Sequence, residues 1–255
     1  MEFNDQPWLP EVMRESVTEV LGRAIRWGRY LDGVAPVFQA FLQRAGSDRI
    51  LDLCAGSGEP VCVLLGALAK AGHPLPDLML CDLFPNVLAM ERSASRFPGK
   101  VAWVSDPVDA TCVPPELSRP IRTYVNCLHH FEPALVRNLF ADCVRAGSSL
   151  FVIESFPRSF LRAAALAPSL LASAIANPFV APRSRLAKAA ITFGGPLVAL
   201  GAFDILASAC RIHTPEELTA IGQEVDGGAY EWSHGFAPFP FGGKAMWFSG
   251  VPRAA

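Results

Sequence analysis

The sequence predicts a doubly wound, mostly parallel α/β fold, and three observations carry that expectation. Five apolar runs are separated by helix-length segments, the pattern of parallel strands joined by crossover helices. The first run, Arg49-Ile50-Leu51-Asp52-Leu53, passes directly into Cys54-Ala55-Gly56-Ser57-Gly58, a buried strand entering a tight glycine turn. The second, Leu78-Met79-Leu80-Cys81-Asp82, again ends in an acid. In open α/β sheets the ligand crevice lies beyond the carboxyl ends of the strands, where both acids fall.

The glycine turn narrows the ligand. Gly56 and Gly58 have no Cβ, so main-chain N–H groups can approach a ligand closely and positive φ angles carry no penalty. A dinucleotide fingerprint needs a third small residue where Val61 stands, and the phosphate-loop pattern G-x-x-x-x-G-K-[ST] is absent. The pattern Asp52-x-x-x-Gly56-x-Gly58 instead resembles motif I of the class I S-adenosylmethionine-dependent methyltransferases, (D/E)-x-G-x-G-x-G, with Cys54 in place of the first glycine. The resemblance implies a seven-stranded, Rossmann-like sheet and S-adenosylmethionine as cofactor. Asp52, Cys54, Ala55, Gly56 and Gly58 would then line the donor. A helix is expected over residues 61–71, followed by a loop containing Gly72, Pro74 and Pro76.

The remaining strands extend the resemblance. Asp82, with Leu83 beside it, stands where the family binds the ribose hydroxyls, a task suited to an acceptor-only carboxylate. A third strand, Val101-Ala102-Trp103-Val104, precedes Asp106-Pro107-Val108-Asp109-Ala110; the family commonly carries an Asp-Ala pair here, close to the adenine amino group. Asp109 and Ala110 fit that pair, with Asp106 as the fallback and a solvated loop acid as the alternative. A fourth strand is read through Tyr124-Val125-Asn126-Cys127-Leu128-His129-His130-Phe131, similar to the Leu-His-His-Phe ending of many small-molecule methyltransferases, with Asn126 at the cofactor. The fifth is Ser149-Leu150-Phe151-Val152-Ile153-Glu154.

Imidazoles titrate near neutral pH, so His129 and His130 are candidates for a general base, and Glu154 is a candidate for an acceptor contact. Adjacent strand residues point to opposite faces, so only one histidine would face the cleft; His130 is preferred. Near the C-terminus, Ala229-Tyr230-Glu231-Trp232 and Ala245-Met246-Trp247-Phe248-Ser249-Gly250 fit the antiparallel strands that close the family's sheet, with residues 235–243 as a connecting loop. Before them, Thr214-Pro215-Glu216-Glu217 has the form of a capping box that opens a helix.

Four segments follow: an N-terminal helical cap (1–45), the cofactor-binding core (46–155), an apolar helical insertion (156–213), and a C-terminal helix and strands (214–255). The cap is read as helices over residues 11–29 and 35–45, after a segment containing Phe3, Pro7 and Trp8. The insertion is rich in Ala, Leu, Ile and Phe and is expected to be broken into short helices by Pro157, Pro168, Pro178, Pro182 and Pro196. The uncharged run 189–203 is shorter than the ~18 apolar residues of a spanning helix. A lid over a hydrophobic acceptor, a homodimer interface and a peripheral contact with a bilayer surface all fit its composition.

Composition sets further limits. The chain is 51% hydrophobic with a net charge of −2, so a primary nucleic-acid substrate is not expected, because phosphate binding needs clustered Lys and Arg. The seven cysteines form no C-x-x-C pair, which argues against structural zinc and for reduced thiols in a cytoplasmic protein. Residues 1–10 are polar and acidic rather than basic and then apolar, so no export signal is expected there. The function expected from the resemblance is methyl transfer by direct displacement to a small, apolar metabolite through an O, N or C acceptor. The same fold would also serve a donor-binding scaffold, a pseudoenzyme or a cyclase-type catalyst.

Overall fold

Seven strands form one sheet in the order β3-β2-β1-β4-β5-β7-β6. They are β1 (Arg49–Asp52), β2 (Asp77–Leu80), β3 (Val101–Trp103), β4 (Ile121–Val125), β5 (Ser149–Glu154), β6 (Tyr230–Phe239) and β7 (Gly243–Pro252). The computed structural model describes residues 8–180 and 184–253. Residues 3–7 of the N-terminal segment, Pro182 and Arg183 lie outside the described residues. All pairings are parallel except those of β7, which runs antiparallel to both β5 and β6. The sheet therefore has the mixed, mostly parallel form implied by the resemblance.

Helices α1 (Glu11–Trp27) and α2 (Ala35–Ala45) precede the sheet. The crossovers are α3 (Glu59–Lys70), α4 (Val87–Ala94) and α5 (Pro133–Arg145). The insertion holds α6 (Phe160–Ala163), α7 (Ala167–Val180), α8 (Arg185–Phe193) and α9 (Pro196–Arg211), after which α10 (Pro215–Asp226) leads back to the sheet. The strands β4 and β5 are buried at every position, as expected of parallel strands covered on both faces. Phe38 and Phe41 of α2 reach Phe151 of β5, with ring centroids 4.9 and 4.8 Å apart. These edge-on and tilted aromatic contacts fasten α2 to the sheet.

Some boundaries differ from the sequence reading. The fourth strand stops at Val125, and Leu128–His130 forms a 3-10 turn rather than a strand end. The face-alternation rule therefore does not separate His129 from His130; their ring centroids lie 4.4 Å apart. Strand β2 ends at Leu80, two residues before Asp82. Residues 235–243 are not a loop: β6 runs to Phe239 and only Pro240–Gly242 turns the hairpin. A broad loop there would leave the edge strands short, whereas the long pairing from Tyr230↔Pro252 to Phe239↔Gly243 satisfies the backbone.

The capping box forms as read. Thr214 Oγ1 accepts from Glu217 N at 3.3 Å and Glu217 Oε2 accepts from Thr214 N at 2.8 Å. At the other end of α10, Asp226 accepts from Gly228 N, Tyr230 N and the Trp232 indole at 2.9, 3.0 and 2.9 Å, joining the helix end to the edge strand.

The prolines break the insertion less than expected. Pro168 occupies the first turn of α7, where a missing N–H costs nothing, and Pro178 lies in its last turn. Helix α6, a short 3-10 turn and α7 consequently run on as one stretch, Phe160–Val180, of mean hydropathy 1.5 and 39% buried. Its 21 residues are enough by length and composition to cross a membrane. So are α8 and α9 together, although they are bent by 67°.

One polar interaction lies deep in the sheet. Arg122, in the middle of β4, is 1% exposed, and its guanidinium donates to Asp142 of α5, which also receives Arg145 at 2.6 Å. Burial alone would raise the Asp142 carboxyl, but the hydrogen bonds from Arg122 and Arg145 outweigh it and hold the group below its ordinary range. Removing Asp142 leaves the buried Arg122 charge uncompensated, whereas removing Arg122 leaves Asp142 its bond from Arg145. Asp142→Leu is expected to cost about 3–5 kcal/mol in urea unfolding, and adding Arg122→Met should recover most of that loss.

Candidate cofactor crevice

The crevice lies where the strand order reverses, between β1 and β4, at their carboxyl ends. There the chain leaves β1 through five consecutive small residues, Cys54 to Gly58. Cys54, Gly56 and Gly58 take positive φ values of 59°, 55° and 71°. A side chain in this region is strained by about 1–2 kcal/mol, so Cys54 holds a conformation that glycine adopts freely. The family's first glycine is thus explained by backbone shape, and the cysteine keeps the shape at a cost.

The two glycines serve different ends. A Cβ on Gly58 would come within 2.5 Å of Leu80, so this residue lets α3 close against β2. A Cβ on Gly56 would meet nothing within 4 Å, so the turn faces open space.

Asp82 binds the turn from the neighbouring strand. Its Oδ2 accepts from Gly56 N at 2.8 Å and its Oδ1 accepts from Phe84 N at 2.8 Å. Each carboxylate oxygen keeps a second lone pair for a ligand hydroxyl. Leu83 and Phe84 follow immediately and are exposed, Phe84 at 83%. The third-strand loop is brought alongside by Val108 N, which donates to the Asp82 carbonyl at 2.8 Å. Beyond it, Asp109 folds its own turn by accepting from Thr111 N at 2.8 Å and from Thr111 Oγ1 at 2.7 Å; Ala110 is buried, and Asp106 is exposed.

Asp52 lies beneath this surface. It is 2% exposed and accepts a hydrogen bond from Thr123 Oγ1 of β4. Loss of hydration on burial pushes its carboxyl up to about 8, with the Thr123 bond opposing and Asp82 adding to the rise. At neutral pH Asp52 is mainly protonated. Asn126, beyond the end of β4, also has a positive φ of 54°. Its Oδ1 accepts from Ser155 N and Ser155 Oγ at 2.7 and 2.8 Å, while its buried Nδ2 has no partner.

The histidines sit at the next strand end. Glu154 closes β5 and accepts from His129 N at 3.2 Å, and its Oε2 lies 2.8 Å from His129 Nδ1. Both side chains are buried, whereas His130 is half-buried and has its carbonyl held by Arg211 of α9 at 2.9 Å. Sequence spacing brought forward all three of these residues but not the pairing of His129 with Glu154, which depends on the 3-10 turn. Thr123 and Arg211 are not legible in the sequence, because a threonine within an apolar strand and an arginine at a helix end carry no distinguishing pattern.

Two cavities flank this region. One of about 510 Å³ adjoins the glycine turn at Ser57 and Glu59, where Glu59 bridges Arg26 and Arg96. The other, about 430 Å³, lies behind the histidines and is lined by Phe131, Pro133, Arg158, Arg211, His213 and Ile221 among others. Asp52, Asp82 and Asp109 line neither.

All seven cysteines are free thiols. Cys62, Cys81, Cys127 and Cys143 are buried and Cys54 is half-buried, whereas Cys112 and Cys210 are exposed. Desolvation pushes the Cys62 and Cys143 thiols up to about 12, and Cys81 is raised by the same cause. Among the described residues no group of three or more His, Cys, Asp or Glu side chains is placed to hold a metal ion.

No protein-family model matches the sequence. No curated protein matches it. Solved structures do. The S-adenosylmethionine-dependent methyltransferase SibL, in its apo form, is similar at a TM-score of 0.52 and 16% identity, over 86% of this chain and 55% of that one. An O-methyltransferase family protein from Burkholderia thailandensis gives 0.51 and 13%, over 92% and 59%. The methyltransferase domain of bacterial CtHen1-C gives 0.51 and 11%, over 88% of this chain and all of that one. The chain spans about half the length of the first solved structures it matches. At such low identity the likeness establishes architecture, and the architecture is the Rossmann-like fold of the class I S-adenosylmethionine-dependent methyltransferases.

Proposed function

We propose that the chain binds S-adenosylmethionine at the ends of β1 and β2 and transfers its methyl group to a small, apolar acceptor. The observation that carries this reading is the joining of the glycine turn to Asp82. A turn open above Gly56, a carboxylate with spare acceptor capacity and the orphaned amide of Asn126 suit a ligand with hydroxyl and carboxylate groups. Leu83 and Phe84 offer an apolar rest for a flat ring beside the Asp82 carboxylate.

The residues divide the work as follows. The backbone of residues 54–58 and the Asn126 amide hold the amino-acid end of the donor, and Asp82 receives the ribose hydroxyls. Asp109 and Ala110 border the adenine. When bound, the sulfonium supplies a methyl already activated for displacement, so the protein's main task is alignment, which is worth several kcal/mol. His130 is the base that receives the acceptor's proton. The buried Glu154–His129 pair fixes the imidazole against which His130 rests.

Asp52 adds a pH dependence. Its carboxyl keeps its proton up to about pH 8 in the ligand-free chain, so a cationic group binding there must first displace that proton. Below pH 8 the apparent affinity for the donor should therefore rise with pH, by up to about tenfold per unit, and level off above it. The Asp52→Asn variant should lack this slope, as read by titration calorimetry from pH 6 to 9.

Calorimetry with S-adenosylmethionine and S-adenosylhomocysteine tests the site itself. Asp82→Ala should weaken both ligands about tenfold or more, the scale of a charge-assisted hydrogen bond; no heat from the unaltered chain rejects the reading. Turnover against a panel of phenols, amines and isoprenoids then separates an enzyme from a donor-binding scaffold. His130→Ala should lower turnover more than about tenfold, general bases contributing about 100-fold or more, and unchanged turnover assigns the proton elsewhere.

A further inference from the structure

Helices α7, α8 and α9 are folded inside out. The face of α7 turned to the body carries Ser169, Ser173 and Asn177, all buried. On the outward side Leu171, Ile175 and Phe179 recur every four residues and are 55%, 49% and 67% exposed. Helix α8 buries Lys188 and Thr192 and leaves Leu186 and Phe193 exposed; α9 buries Asp204 and Ser208 together with Leu197 and Ala209, and exposes Val198 and Leu206. The Phe179 and Phe193 rings lie 6.3 Å apart, so the outer faces of α7 and α8 meet. A helix of a water-soluble surface has the opposite arrangement.

The inward polar face is held by specific bonds to α1. Arg23 donates to Ser173 Oγ at 3.2 Å and to Asn177 Oδ1 at 2.5 Å, and Ser173 Oγ donates to the Val20 carbonyl at 2.8 Å. Lys188, fully buried, reaches Glu19 at 2.9 Å. Small apolar contributions from Ala174 and Leu197 pack on Val20. Because these polar groups are committed to the body, the orientation is fixed, and the apolar side is the one left to an external partner. A lid with greasy walls would turn that side to the crevice instead.

Charge identifies the partner. Residues 156–213 contain six basic side chains against the single acid Asp204, which is buried. Lys188 is paired with Glu19 and Arg158 with Glu217, but Arg185, beside the exposed Leu186, is exposed and Arg162 half-exposed, while the chain as a whole is net negative. In a two-fold dimer built on this face each copy would meet the same positive segment. An anionic lipid surface offers both the apolar medium and the opposite charge. We propose that the outward face of α7, α8 and α9 seats the protein in the plane of an anionic bilayer, without spanning it. The polar bonds to α1 keep these helices on the body, and the 67° bend between α8 and α9 suits a pair lying along a surface.

Co-sedimentation of the full chain with vesicles tests this, using phosphatidylcholine alone and phosphatidylcholine with phosphatidylglycerol. Binding is expected to the anionic vesicles and to fall as salt is raised. The triple variant Leu171→Glu/Ile175→Glu/Phe179→Glu should lower the partition coefficient at least about tenfold, since each side chain loses apolar burial. These positions are exposed, so near-UV circular dichroism and donor titration should be unchanged, which separates this result from failure of the cofactor site. No vesicle binding, undiminished binding by the triple variant or equal binding to neutral vesicles overturns the proposal. So does a dimer in analytical ultracentrifugation that the same substitutions dissociate.

Discussion

The bond from Gly56 N to Asp82 is the constraint on which the candidate site rests. It fixes the first turn against the end of the second strand, and so sets the spacing between the two parts of the crevice before any ligand arrives. Around it the backbone bonds are continuous: Ala55 N donates to the Cys81 carbonyl at 3.0 Å and Gly58 N to the Ala55 carbonyl at 2.7 Å. A turn so held loses little further freedom when a ligand settles on it, and preorganisation of this kind lowers the cost of association.

Much of this was legible in the sequence because it depends on local chemistry. Five apolar runs, an acid closing the second and a threonine–glutamate capping box are short-range patterns, and the strands and α10 cap appear where those patterns place them. What depended on distant partners was not legible. The Leu128–His130 turn looks like a strand extension because Leu and Phe flank it, yet Asn126 adopts a left-handed backbone and ends the ladder. The protonation of Asp52 follows from burial against β4, and the pairing of Glu154 with His129 from the meeting of two strand ends separated by a helix. In the insertion, composition showed an apolar segment but not its orientation, since helical period alone does not say which stripe meets the body.

The insertion and the core use polar groups in opposite ways. In the core, Arg122 of β4 and Asp142 of α5 are buried together between sheet and helix, where each offsets the other's charge. In α7 and α8, Ser173, Asn177 and Lys188 act as tethers between segments far apart in sequence, bonding to Arg23, Val20 and Glu19 of α1. The N-terminal helix is thus the base plate of the insertion as well as a neighbour of α3. It connects the apolar outer face mechanically with the edge of the crevice at Glu59, through the salt bridge from Arg26.

The distribution of sulfur has a practical outcome. Two thiols, on the loop after β3 and at the end of α9, are open to solvent, and the other five are withdrawn into or near the interior. A maleimide dye added to the native chain will therefore mark Cys112 and Cys210 first, and the four buried cysteines will react only as the fold opens. The molecule carries its own pair of attachment points for distance measurements and, in the slower labelling of its hidden thiols, an internal gauge of unfolding.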